Sequence, residues 1–255
     1  MYLPLIIKFN NIMTYCLGIK TKQGLIAIAD TRITSGTNKS TKKKVLVEQR
    51  DKHSLFIMTS GLRSVRDKAV IYFQELFNEG LVEHTKMYKA VNAFGEQVKR
   101  VAEEDRAALK KSGFRFNLNT IIGGQLKDDD EHKLFLIYSE GNWVELNDDS
   151  PYVIIGNSGH GKTLLNRVLN SDSTMKQALK AGFLSFDSTR CSANDVGFPI
   201  DVVLYEKDSY EMKENRYTAE DMKEITELWD ANLKKVLNEL PENWMKDSFG
   251  DIISK

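Results

Sequence analysis

The sequence predicts an α+β fold: two β-sheets with helices on their outer sides. Two observations carry this. Short β-rich apolar runs dominate up to about residue 60, and apolar residues then recur at helical spacing to about residue 101. Further along, strand-like and helix-like segments come in groups instead of alternating, and alternation is what a parallel βαβ sheet needs. No internal repeat, low-complexity tract or linker interrupts the 255 residues, so a single domain is the simplest organisation.

TYCLGIK and GLIAIAD, parted by the turn-like Lys22-Gln23-Gly24, predict a hairpin. A polar, basic loop (35–44) precedes strands at 45–49 and 54–60. Val65, Ala69, Val70, Phe73, Leu76 and Phe77 predict one helix, and Met87, Ala90, Val91, Phe94, Val98 and Val101 a second, broken near Asn78-Glu79-Gly80. Strands are expected at 116–124, 133–139, 142–146 and 152–156, then helices around 160–170 and 174–187. One more strand, 200–206, precedes a final helix. That helix starts near Thr218, shows Met222, Ile225, Trp229, Leu233 and Val236 on one face, and ends at Pro241.

Composition narrows the function. Lysine plus arginine (36) equals aspartate plus glutamate (36), which gives no electrostatic case for nucleic acid or an anionic membrane. Cys16 and Cys191 are too few for a disulfide framework or a zinc site, which points to the reducing cytoplasm. No apolar run reaches the length of a membrane span, and the first residues lack the basic start and cleavage site of a signal peptide. His53, His84, His132 and His160 fall in polar segments and read as surface residues, without metal or triad spacing. Trp229 and its apolar stripe read as packing or subunit contact.

Two constellations could carry chemistry. Gly156 to Thr163, GNSGHGKT, fits the phosphate-loop pattern G-x-x-x-x-G-K-[S/T] between a strand and a helix. In that alternative, a nucleotide-binding protein, Lys162 would reach the terminal phosphates and Thr163 magnesium. Against it, a phosphate loop follows the first strand of a parallel sheet, and here a long stretch of antiparallel character comes first. The second constellation is at the start. The predicted hairpin returns Asp30 towards Thr14, Lys44 immediately precedes the third strand, and Ser60-Gly61 leads from a strand into a helix.

The run MTYCLGIKTKQGLIAIADTRITSG resembles the start of proteasome β-subunits, and more closely the bacterial proteasome homologue Anbu, the ancestral beta subunit. STKKKVLVE, IGNSGHGKTLLNRVL and SFDSTRCSANDVGFPIDVVLYE extend the resemblance in the same order. It implies a four-layer αββα sandwich, the N-terminal nucleophile hydrolase fold. It also implies a threonine peptidase or amidohydrolase, active in intracellular peptide or protein breakdown, without cofactor or metal. Thr14 matches the nucleophile, whose own α-amine is the base. Asp30 and Lys44 (or its neighbour Lys43) match the charged pair beside it, Gly61 the oxyanion N–H, and Ser158 a serine near the amine. The family's last aspartate and serine have no clean counterpart in Ser192-Ala193-Asn194-Asp195-Val196-Gly197, where Ser192 and Asp195 are the candidates. An amine base requires residues 1–13 to be absent from the mature protein, leaving one hydrolase domain over 14–255. The resemblance further implies a homo-oligomer, a closed ring or an open spiral, using residues 62–111 and 218–240. A third possibility is a weakly active scaffold of the same fold.

Overall fold

The structure is a computed structural model and describes residues 14–35, 38–78, 85–245 and 248. The residues up to Tyr217 form one compact unit and those from Thr218 another.

In the first unit, β1 (Tyr15–Thr21) and β2 (Gly24–Asp30) form the expected hairpin, with Cys16 opposite Ala29. β3 (Arg32–Ser35) and β4 (Asn38–Thr41) pair as a small hairpin of their own. This hairpin lies partly in the segment read from sequence as a loop. β5 (Val45–Arg50) and β6 (His53–Gly61) lead into α1 (Arg63–Asn78) and α2 (Met87–Lys111). β7 (Leu118–Leu126), β8 (Lys133–Ile137), β9 (Trp143–Glu145) and β10 (Tyr152–Gly156) follow, then α3 (Lys162–Val168) and α4 (Met175–Ser192). β11 (Ile200–Glu206) and β12 (Met212–Tyr217) close the unit. The sequence did not predict β12. Its burial explains why: the strand is largely exposed, and MKENRY has no buried apolar set to reveal its period.

Two five-stranded antiparallel sheets result, in the orders β10-β1-β2-β11-β12 and β5-β6-β7-β8-β9. Their alternation shows which face meets which layer. Along β6, Phe56 and Met58 point between the sheets, where Cys16, Ala27, Ala29, Ile121, Leu134 and Val203 join them. Leu55 and Ile57 point the other way, into a core with Val65, Ala69 and Phe73 of α1 and Phe94 and Val98 of α2. On the far side, Gly182 of α4 sits against Leu17, Ile19 and Ile28. The layers are therefore α1/α2, sheet, sheet, and α3/α4: the αββα sandwich. Each fully buried aromatic, such as Phe56, Phe73 or Phe94, contributes roughly 1.5–3 kcal/mol of the burial that holds these layers together.

The second unit contains α5 (Lys223–Glu239), which ends just before Pro241 as expected. Its start is later than the sequence suggested. Thr218 and Asp221 do exchange reciprocal bonds, with Asp221 Oδ2 accepting from the Thr218 N–H and hydroxyl, but they close a turn ahead of the helix. One histidine is also corrected. His132 is 1% exposed, with Nε2 2.8 Å from the Thr21 carbonyl and its ring 6.4 Å from that of Tyr205, so a segment that looks polar in sequence is covered by the other sheet. His53 is half-buried and His160 exposed, while His84 lies outside the described residues.

Candidate active site

Antiparallel pairing of β1 with β2 brings the end of β2 beside the residue preceding β1. Asp30, fully buried, thereby receives three donors on one oxygen. The Thr14 hydroxyl donates to its Oδ1 at 2.8 Å, the Tyr15 N–H at 2.8 Å and the Lys44 ammonium at 2.7 Å. Lys44 also donates to the Arg32 carbonyl at 2.8 Å. Burial pushes the Asp30 carboxyl above its ordinary range, against the opposing pull of Lys44, the Tyr15 N–H and the Thr14 hydroxyl. The sequence left Lys43 and Lys44 open. Lys44 is the buried one on Asp30, whereas Lys43 is half-exposed and pairs with Glu214.

The backbone of Thr14 is held from the opposite side. Its carbonyl accepts the Asn157 N–H at 2.7 Å, just beyond β10. Gly156 makes that approach possible: its φ is +88°, and a Cβ there would lie 2.0 Å from the Thr14 carbonyl oxygen. Tyr15 is pinned as well, its hydroxyl donating to Ser185 Oγ at 2.7 Å in α4. Burial raises the Tyr15 phenol and pushes the neighbouring Cys16 thiol up to about 12, so neither is a reactive group at neutral pH.

Gly61 ends β6 in the other sheet. Cys16 Sγ, two residues after Thr14, lies 3.9 Å from the carbonyl of Thr59, two residues before Gly61. The Leu62 N–H donates to the Asn117 carbonyl, which makes Leu62 and Asn117 a hydrogen-bonded pair. By antiparallel alternation, the preceding Gly61 points its own N–H away from β7. On that side β5 has already ended, since its first residue, Val45, stands opposite Met58. The Gly61 N–H thus faces the side on which the β5 ladder has ended.

The remaining candidates make no side-chain hydrogen bond to Thr14, Asp30 or Lys44 among the described residues. Ser158 is exposed and lines a cavity of about 570 Å³ with Tyr152, Lys162 and Asn166. Ser192, the exposed last residue of α4, and half-buried Asp195 make no hydrogen bond to Thr14, Asp30 or Lys44 among the described residues. Sequence reasoning missed Arg32, whose guanidinium donates to the carbonyls of Asn194 and Val196 while its own carbonyl holds Lys44. Its one sequence signal was its place in Asp30-Thr31-Arg32. The phosphate-loop reading also loses its context. The strand before Gly156 lies at the edge of an antiparallel sheet, and Gly161 packs directly against Ser185. No group of residues able to hold a metal ion exists among the described residues.

The family model for a proteasome subunit matches residues 13–205. The chain belongs to the proteasome family. Among solved structures it is similar to the Gly-1 mutant of Anbu from Hyphomicrobium sp. strain MC1 (31% identity, TM-score 0.82). It is also similar to Anbu, the ancestral beta-subunit, from Yersinia bercovieri (30%, 0.83). Both matches cover 89% of this chain and 98% of the other. A structure of the helical assembly of the Anbu complex from Pseudomonas aeruginosa matches at 26% identity and TM-score 0.83, covering 89% and 97%. No curated protein sequence matches the chain. The scaffold is thus of N-terminal nucleophile hydrolase type. No helix among the described residues is long and apolar enough to cross a membrane.

Proposed function

We propose that the protein is a threonine peptidase or amidohydrolase in which removal of residues 1–13 frees the α-amine of Thr14. The observation that carries this reading is the Thr14 hydroxyl on the buried Asp30 carboxylate, which also holds Lys44. The freed amine, with an ordinary pKa of about 7.7–8.0, takes the hydroxyl proton near neutral pH. Thr14 Oγ1 then attacks the carbonyl of a peptide or small amide. The developing oxyanion is stabilised by the Gly61 N–H, a contribution of roughly 3–4 kcal/mol for such a donor. The amine returns its proton to the leaving group, and water hydrolyses the ester. Lys44 favours the deprotonated forms of both amine and hydroxyl through its positive charge, and Asp30 fixes Lys44 in place. Gly156 and Asn157 hold the backbone of Thr14.

The enzyme acts, in this reading, in the cytoplasm as a homo-oligomer. The helical assembly of a similar protein supports an open spiral, and the large apolar residues exposed on α5 support association. One observation favours the alternative of a weakly active scaffold: neither Ser192 nor Asp195 bonds to the cluster. Intact-mass analysis with an electrophile that needs both hydroxyl and amine decides between them. The expected species starts at Thr14 and gains one label, which Thr14→Ala abolishes without loss of fold. Hydrolysis by a protein that still starts at Met1 refutes the mechanism; a free Thr14 that takes no label favours the scaffold.

A further inference from the structure

We infer a separate binding site for a small polyanion, with two or more carboxylate or phosphate groups, at the C-terminal end of α2. A cavity of about 620 Å³ lies there, lined by Arg106, Lys110, Arg115, Phe114, Asn117 and Ser139, with Glu140. That volume is in the range of small-molecule sites.

Three cations converge on this cavity, in a chain whose formal net charge is zero. Several basic residues elsewhere are matched: Lys20 with Glu131, Lys68 with Glu104 and Asp105, Arg216 with Asp201. Among the described residues Arg106, Lys110 and Arg115 form no ion pair, and Glu140, the carboxylate beside them, bridges to none of them. Arg106 and Lys110 are four residues apart on α2, so they share a face, an arrangement that costs stability when like charges face water alone. An anion with several oxygens would offset that repulsion, and guanidinium groups match carboxylate or phosphate oxygens in pairs.

The site is also preorganised. The end of α2 is closed by the Ser112 N–H on the Ala108 and Leu109 carbonyls, then by the Phe114 N–H on Leu109 at 2.8 Å, with Gly113 at φ +78°. Beneath, Arg106 lies 5.1 Å over the ring of buried Phe116, which fixes its stem. Phe114, 41% exposed, leaves an apolar wall for the body of an organic anion. Asn117 continues from this cavity to the strand pairing that orients Gly61, since its carbonyl accepts the Leu62 N–H.

The test is calorimetric titration of the full chain with inorganic pyrophosphate and, separately, citrate. Saturable binding of at least one probe at low millimolar concentration or tighter is expected, and the tighter probe distinguishes phosphate from carboxylate chemistry. Losing one charge-assisted hydrogen bond weakens binding by roughly tenfold or more, so Arg115→Ala and Arg106→Ala should each do so. Lys180→Ala, on exposed α4 surface, should leave it unchanged. Absence of binding by both probes overturns the inference. So does binding that survives in the Arg106→Ala/Arg115→Ala double variant, or that falls equally in Lys180→Ala.

Discussion

Lys44→Met should destabilise the protein by several kcal/mol, and by an amount that depends on pH in a defined way. The substitution keeps the length of the side chain but leaves Asp30, fully buried, with only the Tyr15 N–H and the Thr14 hydroxyl as donors. Breaking one partner of a buried pair costs about 3–5 kcal/mol. Asp30 has an escape, which sets a ceiling: it can take a proton. For a carboxyl whose ordinary pKa is 3.8, protonation at pH 7 costs about 4 kcal/mol, at about 1.4 kcal/mol per pH unit. The variant's folded pKa is raised further above its unfolded value once Lys44 no longer opposes the effect of burial. Its relative stability is therefore present at low pH and lost as pH rises through that raised pKa. The gap to the native protein should be about 3–4 kcal/mol at pH 7 and narrow by up to about 1.4 kcal/mol per unit towards pH 5. Urea unfolding at fixed protein concentration measures this. Asp30→Asn/Lys44→Met should cost less than the two single changes added together. A loss at pH 7 below about 1 kcal/mol, or a gap that widens on acidification, would show that the pair is not the buried unit described here.

Gly156→Ala should cost about 3 kcal/mol or more and abolish labelling of Thr14, because its Cβ meets the Thr14 carbonyl at positive φ, whereas Gly159→Ala, with open space around it, should be near neutral. Thermal unfolding and labelling of both variants check this. His132 has its pKa lowered below 6.5 by burial, so its contribution to stability is complete above 6.5 and is lost as pH falls towards the folded value. Unfolding free energies from urea titration should fall between pH 7.5 and 5.5 by up to about 1.4 kcal/mol more in the native protein than in His132→Gln. Leu228→Glu and Leu237→Glu, at positions 62% and 68% exposed on α5, should give a smaller particle by light scattering with unchanged circular dichroism.

The sandwich was legible because its central strands and helices are buried on definite faces. GLIAIAD is buried along its whole length, and the α2 residues Met87, Ala90, Val91, Phe94 and Val98 are all fully buried. Where burial fails, so does the period. β12 is mostly exposed, β3 and β4 form a two-stranded ribbon, and Thr218 marks a turn ahead of α5. Thr14, Asp30 and Lys44 were found through resemblance, and the choice between Lys43 and Lys44 needed the direction in which β5 begins. Consecutive side chains in extended chain point to opposite sides, so only one of the two can reach Asp30.

The part of the site that stayed illegible is the segment 192–197, and its contacts give the reason. The side chains of Ser192 and Asp195 were sought there, but what joins this segment to the cluster is backbone. Asn194 and Val196 offer carbonyls to the Arg32 guanidinium at 3.3 and 3.4 Å. Gly197 lies so close that a Cβ would sit 2.2 Å from Arg32 Cζ. Arg32 in turn accepts Lys44 through its carbonyl. The chain of contact therefore runs from the 194–197 backbone through Arg32 to the ammonium on Asp30. Carbonyl acceptors are carried by every residue type, so no spacing of Asp or Ser could have announced them. The informative residue is the donor, Arg32, together with Gly197, where a Cβ would push against its guanidinium.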